Sequence, residues 1–475
     1  MLWLALHFPL LPLENPSRGC PRDTPCAIAD RSRILFCNDA ARHLGVRSGM
    51  KRTAAEARSP GIQLLEANPE QEARALRGLA DWSLQFSSLV SMEPPDGLLL
   101  EIGGSLKLFG GLPRLRRRIT HGLDELGYGV ATAVASTPRG AWLLARAGDS
   151  SPVIDRAELR QRLGRLPWQL LELTPEQEQA LQGLGLKTLA DCLTLPRGEL
   201  NRRLGRSLTR QLEQALGEQP EPRHPHQAPR RYQGRLELPA PAPDSPSLLF
   251  ALQYLLRELC GLLRGIDSGV EQFSLQLEHE RHPPTVLRMG VLEPSRHPQR
   301  LLAVCREGLE RRPLPAEVHA LELLAERILP LPGRSGTLFD DPFDSPAEPW
   351  RELAERLLAR LGEDSVRSLG THADHRPENA WSSPPAGNAV QQQANPYRPL
   401  WLLRTPRPLE QYQGRPCWNG PLALHQGPER LESGWWDGHD LARDYYTARA
   451  PNGSLVWIYR ERRPPRGWFL HGFFA

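Results

Sequence analysis

The chain has 475 residues, 40% hydrophobic and 24% charged, enough apolar material for about three domains, which excludes wholesale disorder. A formal net charge of +4 is too small to identify a nucleic-acid binder, so that argument must rest on local clusters. Seven cysteines, scattered without a Cys-x-x-Cys spacing, argue against a disulfide framework or zinc site and fit a reducing cytoplasm.

Residues 2 to 13 are apolar but lack a basic leader and contain Pro9 and Pro12. A buried first strand is expected there rather than a signal peptide, and no apolar run reads as a membrane span. Leu2 to Leu6 and Leu98 to Ile102 are continuous apolar runs, as central strands covered on both faces require. Glu70 to Phe86 has helical spacing through Ala73, Leu76, Leu79, Trp82 and Phe86. Residues 112 to 127 predict a second helix and Gly129 to Ser136 another strand. Residues 151 to 219 read as helical, with Thr174-Pro-Glu-Gln177 a capping-box start. Gln219 to Arg231, rich in Pro and His, reads as a linker. From 232 to 330, strand-like runs at Arg235 to Leu238, Glu271 to Glu278 and Val318 to Leu324 alternate with helices near 247 to 264 and 297 to 310. Residues 331 to 396 turn polar and proline-rich and predict a tether with one short helix, Trp350 to Leu361. The last 80 or so residues carry Trp401, Trp418, Trp435, Trp436, Trp457 and Trp468 and predict a compact, mostly β domain.

Three segments carry a family signature: Met1 to Glu14, Ala41-Arg-His-Leu-Gly-Val-Arg-Ser-Gly-Met50, and Asp96-Gly-Leu-Leu-Leu-Glu-Ile-Gly-Gly-Ser-Leu-Lys-Leu-Phe-Gly-Gly111. They resemble the palm and fingers of Y-family translesion DNA polymerases, most of all the ImuB branch. The C-terminal runs Gly427 to Trp436, Arg443 to Tyr446, Leu455 to Tyr459 and Trp468 to Ala475 resemble the same branch. The resemblance implies an α+β multidomain right hand. Its parts are a palm from 1–14 and 75–150, fingers from 15–74, a helical thumb with helix–hairpin–helix from 151–220, and a little finger from 230–330. The tether at 331–396 and a C-terminal partner-binding domain at 397–475 complete it.

Polymerases of this family hold two metal ions on carboxylates of the palm. The matching positions here read Ala5, Asp96 and Gly97, so one carboxylate remains of three, and hard cations need oxygen ligands. A register shift would instead bring His7 or Glu101 to the site. The fingers motif that contacts the incoming triphosphate reads Asp39-Ala-Ala-Arg42, and Asp39 would repel a triphosphate. A palm lysine of the family aligns with Trp142. These departures imply a protein with no cofactor of its own and no polymerase chemistry.

What holds DNA is expected in the thumb. Gln182-Gly-Leu-Gly-Leu-Lys-Thr-Leu-Ala190 matches a helix–hairpin–helix, in which Gly183 and Gly185 allow a tight turn, amides face a phosphate, and Lys187 and Thr188 add side-chain contacts. An ordinary αα-hairpin is the alternative. Arg197, Arg202, Arg203, Arg206 and Arg210 follow as a basic cluster suited to sequence-independent phosphate affinity. Arg114, Arg116, Arg117 and Arg118 form a second basic group, equally readable as a solvated face. In the tether, Ser335, Leu338 and Phe339 match the bacterial sliding-clamp pattern Gln-x-x-Leu-Phe except for its Gln. Trp435 and Trp436 are candidate partner anchors. The resemblance implies a damage-induced complex of the clamp, a RecA-like accessory protein (ImuA) and an error-prone C-family polymerase, with this chain as its DNA-binding adaptor. The rivals are an active translesion polymerase with displaced carboxylates and a clamp-independent DNA-binding repair factor.

Overall fold

The computed structural model describes residues 1–18, 23–331, 347–362, 364–372, 374–383, 398–399 and 401–474. They divide into two compact units, 1–361 and 362–475.

The first unit is built on a four-stranded antiparallel sheet in the order Val90–Glu93, Gly97–Glu101, Trp3–His7, Ala131–Ala135. The two central strands are sealed on both faces, as their continuous apolar runs require. One face, carrying Leu4, Leu6, Leu98 and Leu100, packs on helices Pro69–Ser83 and Leu112–Glu125. The other face, carrying Trp3, Ala5 and Leu99, shares a core with helix Pro138–Arg146 and the helices that run on to Leu216. Palm-like sheet and thumb-like helices thus have one continuous core. The fingers-like insertion is a small sheet in which Cys26–Ala29 pairs antiparallel with Ile34–Cys37 and parallel with Gln63–Glu66.

The Pro- and His-rich linker is fixed against the palm. Arg139 lies 3.2 Å from both Glu93 and Glu221, and Arg223 pairs with the same two carboxylates. His226 meets Asp81 at 2.6 Å. The chain then enters a sheet ordered Thr285–Ser295, Ser268–His279, Val318–Ala325, Tyr232–Ala242. The 21-residue helix Ser245–Gly265 covers it and is by length and composition able to cross a bilayer, beyond the sequence expectation. Its apolar residues here meet the sheet and helix Pro69–Ser83. That helix seam is close: a Cβ at Gly261 would collide with Trp82, and one at Gly265 with Leu84. Within the seam Arg18 lies 3.7 Å from Glu258, both almost wholly buried.

The helix expected within the tether runs Ala347–Leu361 and belongs to the first unit. Glu355, 1% exposed, accepts from Leu292 N–H at 2.7 Å and takes a two-pronged pair from Arg300. Arg356 pairs with Glu307 at 2.8 Å. The tether assignment is corrected at its far side too. Arg376 reaches Asp437 at 2.7 Å and Glu378 reaches Arg443 at 2.8 Å, so residues 374–383 dock on the C-terminal sheet. Charge pairs invisible in composition turn these polar stretches into structure.

The second unit is the mostly β domain the sequence predicts, a six-stranded antiparallel sheet ordered Arg415–Cys417, Trp401–Tyr412, Trp468–Phe473, Leu455–Glu461, Leu441–Arg449, Ala423–Ser433. Tyr445 stacks on Trp457 with ring centres 4.1 Å apart, and its hydroxyl meets His471 Nδ1 at 2.9 Å. Burial of His471 lowers its pKa from 6.5 to about 4. A base held neutral in the fold contributes fully above the unfolded value, and its contribution is lost as pH falls toward the folded one. Between pH 6.5 and about 4 this unit should therefore lose roughly 3 kcal/mol, at about 1.4 kcal/mol per pKa unit. Urea melts of the full chain followed by tryptophan fluorescence at pH 7 and pH 4.5 check this, and His471→Gln should flatten the pH dependence.

Candidate functional site

Strand register decides what surrounds Asp96. Along Trp3–His7 every second side chain shares a face, so Ala5 and His7 both point toward the helix Pro138–Arg146 side. The pairing sets His7 opposite Gly97 and Ala5 opposite Leu99. The residue beside Asp96 is therefore His7, whose Nε2 lies 3.3 Å from the Asp96 carboxylate, and not Ala5. Ala5 sits one pair deeper, fully buried in an apolar cluster. Glu101 is remote, with its carboxylate accepting the amides of Leu2 and Gly103 at 3.1 Å each.

At Gly97 the space for a side chain is taken. Helix Pro138–Arg146, capped by the Thr137 hydroxyl, lays Trp142 across the sheet, and a Cβ at 97 would collide with its ring carbons. The same ring meets His7 edge-on at 5.4 Å and is 3% exposed. A two-ion site needs several oxygen ligands in a polar cavity. Asp96 is paired with an imidazole against an indole, and Glu93, opposite Gly97 in the register, is taken by Arg139 and Arg223. These residues do not fit a pair of divalent ions. Among the described residues no group of three His, Cys, Asp or Glu side chains gathers elsewhere for a metal.

In the fingers-like insertion, helix Asp39–His43 is capped by Asn38, which accepts from Ala41 N–H at 3.0 Å. Arg42 pairs with Asp39 at 3.0 Å on the surface, so the retained arginine is partly neutralised by the residue that replaces the family's tyrosine.

The thumb hairpin joins helices Pro175–Gly183 and Leu189–Thr194. The capping box at Thr174 and Gln177 forms as its sequence predicts. A second box, missed in the sequence, joins Thr188 to Asp191. Its effect is chemical as well as structural. The Asp191 carboxylate accepts the amides of Lys187 and Thr188 at 2.9 Å each, which hold its pKa below the ordinary value. The amides of Leu184, Gly185 and Leu186 are taken by carbonyls of the preceding helix. The expectation that amides around Gly183 and Gly185 face a phosphate is thus corrected: in this hairpin they are internally satisfied, and an anion already occupies the helix start. Thr188 is engaged in the cap, while the Lys187 ammonium remains exposed.

The arginine cluster divides in the same way. Arg197 lies 3.3 Å from Glu213 and also pairs with Glu218, so its charge is offset within the thumb. Arg202, Arg203, Arg206 and Arg210 are exposed, with no ion-pair partner among the described residues. Of the other basic group, Arg116 donates to the Ser150 carbonyl at 2.7 Å and Arg118 lies over Phe109. In the second unit Trp435 and Trp436 form a turn after strand Ala423–Ser433, 78% and 60% exposed. Arg376 backs the Trp436 ring at 5.8 Å. Ser335, Leu338 and Phe339 lie outside the described residues.

Residues 15–146 match the impB/mucB/samB family. The curated Protein ImuB of Caulobacter vibrioides, in strains NA1000 / CB15N and ATCC 19089, is 27% identical over 459 residues, covering 91% of this chain and 100% of that protein. Among solved structures, an insertion ternary complex of Dbh DNA polymerase superposes with a TM-score of 0.40 at 17% identity, covering 70% of this chain and 100% of that one. The crystal structure of DinB from Sulfolobus solfataricus gives 0.39 at 16% identity with the same coverage.

The packing of Trp142 on Gly97 is testable by a double-mutant cycle. Gly97→Ala should cost about 1–3 kcal/mol in the natural chain, as overpacking does. In a Trp142→Leu background the same change should cost under about 0.5 kcal/mol, as for uncoupled sites. Urea denaturation measures both, and equal costs would show that the indole does not fill the Gly97 space.

Proposed function

We propose, from its similarity to Protein ImuB and to the impB/mucB/samB family, that the chain is a non-catalytic, Y-family polymerase-like adaptor of damage-induced translesion synthesis in the cytoplasm. It holds primer-template DNA and leaves nucleotide addition to another enzyme. The observation that carries this reading is the palm centre, where Trp142 fills the space over Gly97 and Asp96 is paired with His7. Nucleotidyl transfer relies on a pair of metal ions to activate the attacking oxygen and stabilise the leaving pyrophosphate, and the donor set here does not suit one.

DNA binding rests on Arg202, Arg203, Arg206 and Arg210, with Lys187 beside them in the thumb. Unpaired surface guanidinium groups release counterions from a phosphate backbone without reading sequence. Recruitment is assigned to two other regions. Leu338 and Phe339, with Ser335 in place of the usual Gln, engage the sliding clamp. The exposed Trp435–Trp436 turn faces a protein partner, for which the RecA-like ImuA and an error-prone C-family polymerase are the candidates, since exposed tryptophans make strong binding anchors.

Purified protein should bind primer-template DNA with an affinity that falls steeply with salt, and should not extend the primer with Mg²⁺ or Mn²⁺. Replacing Arg202, Arg203 and Arg206 with Ala should lower the slope of log affinity against log salt by roughly 2–3, at about 0.9 per phosphate contact. Robust extension that Asp96→Ala abolishes would overturn the adaptor reading. Replacing Leu338 and Phe339 with Ala should abolish clamp pull-down and depress damage-induced mutagenesis while leaving DNA binding intact. Unchanged clamp capture would remove the clamp from the scheme.

A further inference from the structure

The second unit has an uneven distribution of unpaired charge. Among its described residues every acidic side chain except Glu410 lies within ion-pair distance of an arginine. Exposed arginines without such a partner among the described residues include three on one hairpin, Arg404, Arg407 and Arg415, beside Arg449 and Arg460 on other strands. The same hairpin carries two of the unit's most exposed aromatic rings, Trp401 at 71% and Tyr412 at 66%. Elsewhere in the unit Tyr445, Trp457, Tyr459 and Trp468 are buried, while Trp381, Trp435 and Trp436 are exposed away from this hairpin. Apolar rings left in water beside uncompensated cations need a ligand that offers both negative charge and flat stacking faces.

The hairpin's geometry narrows the ligand further. Strand Trp401–Tyr412 pairs along one side with Trp468–Phe473, but along the other only Glu410, Gln411 and Tyr412 find partners, in Arg415–Cys417. Its outer edge is otherwise open among the described residues. Such an edge ordinarily invites an added peptide strand. Here Pro406 and Pro408 supply no N–H, which disfavours a continuous peptide ladder along this strand. Gln413 and Gly414 both have positive φ, 48° and 77°, as a two-residue primed turn requires. That turn sets Tyr412 directly opposite Arg415, a ring beside a guanidinium.

We propose that this edge, from Trp401 to Arg415, binds single-stranded nucleic acid, with Trp401 and Tyr412 stacking on bases and Arg404, Arg407 and Arg415 holding phosphates. A 12-residue strand spans roughly 40 Å at about 3.3 Å per residue, a length suited to a platform of several nucleotides. Binding would be sequence-tolerant, because every base has a stacking face and the cations contact only the backbone. The edge belongs to the second unit alone, so the proposal does not depend on the thumb or on the adaptor reading.

The test uses the full-length protein with Arg202, Arg203 and Arg206 already replaced by Ala, which removes the thumb contribution. Fluorescence anisotropy with a labelled 12-nucleotide oligo(dT), a length of about the strand's own span, reads binding across a salt series. Adding Arg404→Ala, Arg407→Ala and Arg415→Ala should weaken binding at least about tenfold and reduce the salt slope by roughly 2, at about 0.7 per single-strand phosphate. Adding Trp401→Ala and Tyr412→Ala instead should weaken binding by about tenfold, leave the salt slope unchanged and reduce the quenching of tryptophan fluorescence by the oligonucleotide. All five side chains are exposed, and near-UV circular dichroism from the buried Tyr445–Trp457 stack confirms an intact fold. Oligonucleotide affinity equal to the parent in both sets of variants would overturn the proposal, as would an oligo(dT) signal absent from the parent itself.

Discussion

The interaction on which the first unit turns is the contact of one indole with one missing side chain. Trp142 occupies the volume that any residue other than glycine would need at position 97, and its edge supports His7, which in turn holds Asp96. A carboxylate at 97 and an indole at 142 exclude each other sterically. They also exclude each other electrostatically, since an unpaired carboxylate against a buried aromatic ring carries a desolvation penalty. The space over Gly97 is therefore filled by apolar packing. A carboxylate introduced at position 97 would meet a filled space rather than an empty socket.

That repacking has a consequence for the whole hand. Ala5, Leu99 and Trp142 belong to the same core as the thumb-like helices as far as Leu216. A hydrated, anionic centre beneath that helix would interrupt this core, whereas alanine, leucine and an indole extend it. The little-finger-like module is joined to the palm through a different device, glycine-mediated helix contact over Trp82 and Leu84 with the buried Arg18–Glu258 pair inside the seam. Burial raises the pKa of Glu258 while Arg18 opposes that shift. The pair therefore serves geometry more than stability, because desolvation offsets much of the Coulomb gain. The palm-like, thumb-like and little-finger-like parts are thus joined by direct packing.

In both units many arginines are matched by carboxylates, and among the exposed ones without an ion-pair partner some cluster locally. In the thumb-like region Asp191 takes the hairpin amides and Glu213 and Glu218 take Arg197, while Arg202, Arg203, Arg206 and Arg210 are exposed with no ion-pair partner among the described residues. In the second unit the pairing consumes nearly every carboxylate and leaves the Trp401–Arg415 hairpin basic. Net charge over the chain hides both patches, since paired and unpaired arginines count equally in a sum.

The sequence by itself determined most of the element types. Continuous apolar runs gave the central strands, Thr174 and Gln177 gave a helix start, and the aromatic C-terminus gave a mostly β unit. It also singled out Asp96, Gly97 and Trp142, which the fold brings together. Only the tertiary structure decided which residue neighbours Asp96, because Ala5 and His7 share one face of a strand of period two and just the pairing register separates them. Only the fold brought Trp142 over Gly97, forty-five positions away in sequence, and only it showed Asp191 closing the hairpin that glycine spacing had opened. The same holds for the segments at 347–361 and 374–383, whose polar composition reads as a tether until Glu355, Arg376 and Glu378 meet their partners. The reason is common to all of these. Local propensity and periodicity are written residue by residue, whereas steric exclusion and charge pairing act between groups that become neighbours only when the chain has folded.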